Sequence, residues 1–188
     1  MPKLSPTSRV SNDFRYFLLL IIILSALVSF TGTATAATPY LRQNGNAPKV
    51  EYDVTPYVGI YGLNGPALGV FAAYRVAPNG FIAALNNSVS VEGGLNAGTD
   101  CDGSDCQNIF TVSAHMRWDF HLHPNWSAYA APGIEVGSER GMGHDSVRHG
   151  LFAAPKAGGM WWLHQGGAIR FEVDPLMGVH RIGYMFLF

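Results

Sequence analysis

The chain has 188 residues, of which only 13 % are charged, and a formal net charge of −1. That balance leaves no electrostatic footprint for nucleic acid. Hydrophobic residues make up 48 %, aromatics 12 %, and glycine is abundant at 22 residues; this mix suits an all-β protein with one face in lipid and equally a soluble β-sandwich.

Lys3, Arg9 and Arg15 precede an apolar run from Phe17 to Phe30, and Ala34-Thr35-Ala36 follows as a small-residue cleavage site. Residues 1–36 therefore read as a secretory signal peptide cut near Ala36 or Ala37. The run of about fourteen residues falls short of the roughly twenty that a spanning helix needs. After it, no apolar run is long enough to span as a helix, so a membrane-embedded mature protein would have to be a closed barrel. Residues 37–49 read as a short, mobile N-terminal tail.

From Val50 onward the pattern is strand, turn, strand with period two. Val50 to Tyr61 sets Tyr52, Val54, Val58 and Ile60 against Glu51, Asp53, Thr55 and Tyr57. Ala67 to Val76 groups Leu68, Val70, Ala72, Tyr74 and Val76 opposite Arg75. Phe81 to Ala97 sets Val89, Val91 and Leu95 against Ser88, Ser90, Glu92 and Asn96. The clearest strand is Asn108 to Leu122. Its even positions from Phe110 to Leu122 are all apolar, and its odd positions include Thr111, Ser113, His115, Arg117, Asp119 and His121. In a strand these two sets point to opposite faces. Trp126 to Val136 sets apolar residues against Ser127, Tyr129 and Glu135. Leu151 to Leu163 sets them against Lys156, and Ala168 to Asp174 against Arg170, Glu172 and Asp174. The last strand sets Ile182, Tyr184, Phe186 and Phe188 against Arg181. The reading is an all-β, eight-stranded, antiparallel up-and-down transmembrane barrel over residues 50–188, with about eight strands.

The connections alternate in character. Ala77 to Gly80, His123 to Asn125 and His164 to Gly167 are short and rich in Pro, Gly or Asn, as inner turns are. Phe81, Trp118, Phe120, Trp126, Trp161, Trp162, Phe186 and Phe188 flank them, which is the expected pattern of an interfacial aromatic girdle. Gly62 to Pro66, Gly98 to Gln107, Gly137 to Gly150 and Pro175 to Gly178 read as outer loops. Cys101 and Cys106 lie in a Gly/Ser/Asp stretch and read as a small disulfide clip, or else as two free thiols. No second Cys or His pair stands at zinc spacing, and no metal or cofactor is expected.

The polar face holds Glu51, Asp53, Arg75, Glu92, His115, Arg117, Asp119, His121, Glu135, Lys156, Arg170, Glu172 and Arg181. Both signs occur, and charges inside a narrow barrel must pair. The expected outcome is a salt-bridged, packed lumen; the sharper alternative is a catalytic or proton-conducting cluster around His115, Asp119 and His121. His144-Asp145-Ser146 has the spelling of a catalytic pair but sits in a loop, and no catalytic set is assigned.

The final residues, Arg181-Ile182-Gly183-Tyr184-Met185-Phe186-Leu187-Phe188, resemble the C-terminal signal of bacterial outer-membrane β-barrels. The chain as a whole resembles the small barrels typified by the transmembrane domain of outer membrane protein A. The resemblance implies insertion in the outer membrane of a Gram-negative bacterium, with outer-membrane lipids as surroundings. It also implies recognition of Arg181, Gly183, Phe186 and Phe188 by the barrel-assembly machinery. A monomeric, porin-like surface protein whose outer loops meet an external ligand is the function it suggests. The alternatives are a lipid A-modifying barrel enzyme of the deacylase kind and a soluble, exported, lipocalin-like binder.

Overall fold

The structure, a computed structural model, describes residues 39–61, 65–102, 105–139, 148–163, 166–176 and 178–188. The signal-peptide segment, the His144–Ser146 triplet and the tips of the outer loops lie outside the described residues. A short 3-10 turn, Tyr40–Arg42, precedes the strands. These are β1 Tyr52–Tyr61, β2 Gly65–Ala77, β3 Asn87–Asp102, β4 Asp105–His123, β5 Trp126–Ala131, β6 Gly133–Glu139, β7 Arg148–Ala153, β8 Lys156–Leu163, β9 Gly167–Asp174 and β10 Val179–Leu187.

All pairings are antiparallel. β5 and β6 pair with β4 in one continuous register, since Trp118 faces Ala130 and His115 faces Gly133. They are two halves of one strand, interrupted at Pro132. β7 and β8 are likewise halves, interrupted at Ala154 and Pro155. Because Ala131 faces Lys156 and Ile134 faces Ala153, the two prolines stand opposite each other. Neither can donate a backbone hydrogen bond, so the ladder thins there and resumes in the same register. With the pairs β3–β4 and β1–β10 the ring closes as an eight-stranded barrel. Closure leaves no sheet edge within the wall.

The two faces are inverted relative to a soluble protein. Val58, Leu68, Val91, Leu95, Phe110, Val112, Ile134, Val136, Phe171, Val173 and Ile182 are exposed on the outside. Asp53, Glu92, Arg117, Asp119, Glu135, Arg170 and Glu172 are buried inside. Apolar layers close this polar centre at both ends: Ala67, Ile109 and Val179, with Phe152, above, and Val50, Met160, Trp162, Ala168 and Met185 below. Ring contacts encircle the lower rim outside, with Phe81, Trp118 and Phe120 in one run and Trp126 stacked on Trp161 at 5.4 Å.

Several expectations change. Phe81 to Asn86 form turns rather than the start of a strand, because the Asn87 side chain gathers the carbonyls of Asn79, Ile82 and Leu85 around itself. Gly98 to Asp102 and Asp105 to Gln107 are strand, not loop: the β3–β4 ladder continues to the Asp102–Asp105 pair. Trp162 leaves the girdle. It points inward, buried, and its indole N–H donates to Ser127 Oγ at 2.6 Å. The described part of the tail is folded under the barrel: Leu41 O accepts the Asn86 N–H and Val50 is buried.

Candidate functional site

The lumen is the site that the alternation builds. Inward positions on β1, β3, β4, β9 and β10 converge because each strand alternates strictly and the ring is narrow. Arg117 on β4 lies at one centre. Its Nη2 and Nη1 donate to Asp53 Oδ2 and Oδ1 at 2.6 and 3.2 Å. Nη1 also reaches Glu92 Oε2 at 3.0 Å, and Nε reaches Asp119 Oδ1 at 3.0 Å. One guanidinium thus gathers three carboxylates, from β1, β3 and β4.

Arg170 on β9 forms the second centre. It clamps Glu92 with Nη1 at 2.5 Å and Nη2 at 3.0 Å. Nη2 also donates to Glu172 Oε2 at 2.5 Å, and Nε to Tyr129 Oη at 2.9 Å. Glu172 passes the chain on to Arg181 Nη1 at 2.7 Å. The result is an alternating series, Asp53, Arg117, Glu92, Arg170, Glu172, Arg181, that crosses the barrel from β1 and returns to its neighbour β10. Two-pronged arginine pairs are the geometry that best offsets the desolvation of buried charge.

Lys156 is held more loosely, 3.6 Å from Glu135 and 3.9 Å from Glu172. Its ammonium stands 3.9 Å over the ring of Phe71. Arg170 lies over the same ring at 4.9 Å and Arg181 at 5.7 Å. Phe71 is an apolar residue at an inward position, and its negative ring face draws three cations together. Glu135 accepts from Thr111 Oγ1 at 3.1 Å and Asn96 Nδ2 at 3.3 Å.

The two buried histidines are structural links. His115 Nε2 lies 3.0 Å from Ala154 O, beside the proline pair, and its Nδ1 is 3.4 Å from Lys156 Nζ. His121 lies between Ser127 Oγ, 2.8 Å from Nδ1, and Ser88 Oγ, 3.1 Å from Nε2. Asp119 belongs to Arg117 and makes no bond to His121. Both ring nitrogens of His121 are taken by hydroxyls, and Ser127 is already engaged by Trp162. Asp119 Oδ2 accepts instead from Ser88 Oγ at 3.5 Å, so among the described residues no carboxylate orients the His121 ring. No group of three or more His, Cys, Asp or Glu among the described residues is arranged to hold a metal ion.

The residues expected on the polar face divide as follows. Asp53, Glu92, His115, Arg117, Asp119, His121, Glu135, Lys156, Arg170, Glu172 and Arg181 are buried inward. Arg75 sits half-buried at the lower rim and donates to Pro48 O. Glu51 is exposed and outside the lumen, because it precedes β1 at the open rim. Gly183 faces inward against Pro56 O, while Phe186 and Phe188 are exposed outside. Tyr57, Phe71 and Tyr129 complete the network. Their inward position was available from the alternation; their bonding was not.

No family model matches the chain, and no curated protein matches it. Among solved structures it is similar to Ail, the attachment invasion locus protein of Yersinia pestis, solved in complex with the heparin analogue sucrose octasulfate. Identity is 17 %, the match covers 71 % of this chain and 90 % of that one, and the TM-score is 0.39. By its own geometry, a closed eight-stranded antiparallel ring with an apolar exterior and an ion-paired interior, the chain has the architecture of a small outer-membrane barrel.

Proposed function

We propose that the chain is exported and resides in the outer membrane of a Gram-negative bacterium as a monomer. There it serves as a structural or surface-interaction element rather than an enzyme or an open pore. The inverted surface carries this reading. Contiguous apolar area of this extent is stable only against lipid, and a lipocalin-like binder needs the reverse arrangement, an apolar interior under a polar skin. The packed ion-pair series supports a lumen that stabilises the fold instead of transporting solute.

The external surface of interest is the β3–β4 ribbon. The ladder to β2 ends at the Ala67–Gly98 pair and that to β6 at Phe110–Ser138. Thr99 to Asp102 and Asp105 to Asn108 therefore pair only with one another among the described strands. The Cys101–Cys106 disulfide joins two directly opposed residues there. A ribbon whose outer edges carry unpaired N–H and C=O groups is a template for strand addition by an extended segment of an external partner.

The test is electrophoresis of the membrane-extracted protein with and without boiling in SDS, together with fractionation. A heat-dependent mobility shift in the outer-membrane fraction is expected. A soluble protein with no shift would overturn the reading.

A further inference from the structure

The lower mouth of the barrel carries a cover that the strands do not need. It begins at the 3-10 turn Tyr40–Arg42, against β4, and ends at β1, three strands away around the wall. Its outer part is fastened to the barrel at Leu41 and Asn44. Leu41 O accepts the Asn86 N–H at 2.5 Å, and Asn44 Nδ2 donates to Ala83 O at 2.9 Å. The inner end is anchored better. Val50 is buried among Met160, Trp162 and Met185, and the adjacent Glu51 and Tyr52 N–H groups both donate to Phe188 O at 3.2 Å.

Asn86, bonded through its backbone to Leu41, is wholly buried, and neither its side-chain oxygen nor its nitrogen has a partner. Its carbonyl accepts the His121 N–H at 2.9 Å, so this amide adjoins the polar end of the lumen. On the β2 side, beside the Arg75 to Pro48 O bond, a cleft of about 590 Å³ lies between cover and rim, lined by Pro48, Lys49, Tyr74, Arg75, Asn79 and Phe188.

We infer that residues 39–50 are a strap that swings open about Val50, uncovering Asn86 and the His121 end of the lumen to water while the barrel stays closed. The closed state leaves a buried amide without a protein hydrogen-bond partner, and opening gives it free access to water. The bonds from Leu41 and Asn44 lie at the free end, and that from Arg75 to Pro48 O lies beside the pivot. No ladder between strands contains a strap residue, so opening is a local event distinct from unfolding. The inference rests on this geometry and not on the membrane reading.

The experiment uses Asn86→Cys, at a side chain without partners, in a chain also carrying Cys101→Ser and Cys106→Ser. Reaction with a water-soluble maleimide is followed in the full chain and in a form lacking residues 39–47, both shown to be folded by the heat-dependent mobility shift. Ser90→Cys, buried higher on β3, reports opening of the whole barrel. The expected result is that Cys at 86 reacts in the full chain, faster than Cys at 90, and about tenfold faster again without the strap. Three results would overturn the inference: no reaction in the full chain, equal rates with and without the strap, or a rate no faster than at position 90. Each of them leaves the heat-dependent shift, and so the membrane reading, standing.

Discussion

The ring of Tyr129 on β5 lies over Gly158, its direct partner on β8: a Cβ added at Gly158 would stand 2.7 Å from the ring's Cζ and 2.0 Å from Phe171 O. The same relation recurs between Tyr57 and Gly69, Phe71 and Gly94, and His115 and Gly133, each a directly opposed pair. A narrow lumen has little room for a ring beside a side chain, and each of these four rings lies where its cross-strand partner has none.

This predicts a sharp contrast between neighbouring glycines. Gly158→Ala and Gly94→Ala should destabilise by about 1–3 kcal/mol, because the ring or the facing backbone must shift. Gly159→Ala and Gly93→Ala, whose added Cβ meets nothing nearer than 3.5 and 3.9 Å, should lose no more than about 0.5 kcal/mol. Urea midpoints of the four variants in detergent check the order; equal losses within each pair would refute it.

The ion-pair series predicts unequal costs for its cations. Glu92 serves both Arg117 and Arg170, so Glu92→Ala should cost about 3–5 kcal/mol by taking a shared carboxylate from two buried guanidiniums, leaving Arg117 only the carboxylates of Asp53 and Asp119 and Arg170 only that of Glu172. Arg170→Met should cost a similar amount, since Glu92 and Glu172 both lose their shortest partner. Lys156→Met removes ion pairs of 3.6 and 3.9 Å, the 3.4 Å contact to His115 Nδ1 and the contact over Phe71, and leaves Glu135 its bonds from Thr111 and Asn96, so about 1–2 kcal/mol is expected. Equilibrium unfolding of the three variants gives the ranking, and a Lys156 loss as large as that of Arg170 would contradict it.

The disulfide lies in the ribbon, beyond the ladders to the neighbouring strands. The bond closes only a short loop in the unfolded chain, its cysteines being 5 residues apart, so replacing Cys101 and Cys106 together by Ser should cost no more than about 2 kcal/mol of global stability. Amide exchange of residues 99–108 should quicken while the lower half of β3 and β4 is unaffected. Exchange that rises throughout both strands would show that the clip holds the wall itself.

The proposed assembly role of Phe188 can be tested apart from its place in the fold. Its ring is exposed, and its carbonyl is what Glu51 and Tyr52 hold. Phe188→Ala keeps those backbone bonds, so the stability of refolded protein should change by less than about 1 kcal/mol. The yield of assembled barrel in cells should nevertheless fall severalfold. Parallel losses in both measurements would place the role of Phe188 in the fold rather than in recognition.

Strand identity and facing were legible in the residues because period two is a local property: Phe110 to Leu122 alternates without exception, and that alone sends His115, Arg117, Asp119 and His121 to one side. The same parity could have separated Trp161 from Trp162, which the girdle pattern grouped together. Composition misled where pairing overrides it. Gly98 to Asp102 and Asp105 to Gln107 have loop-like residues but are strand, since a hairpin ladder once aligned continues while both chains remain opposite. Which carboxylate meets which guanidinium lay beyond the sequence. Asp53 and Arg117 are 64 residues apart, Glu92 and Arg170 are 78 apart, and only register and closure bring them within hydrogen-bond reach. The apposition of Pro132 and Pro155 and the path of residues 39–50 under the mouth have no local period to announce them. The amino-acid order determined what faces in and what faces out; the tertiary structure decided the partners, because in a closed ring a side chain's neighbours are set by the strands across the lumen and not by those beside it in the chain.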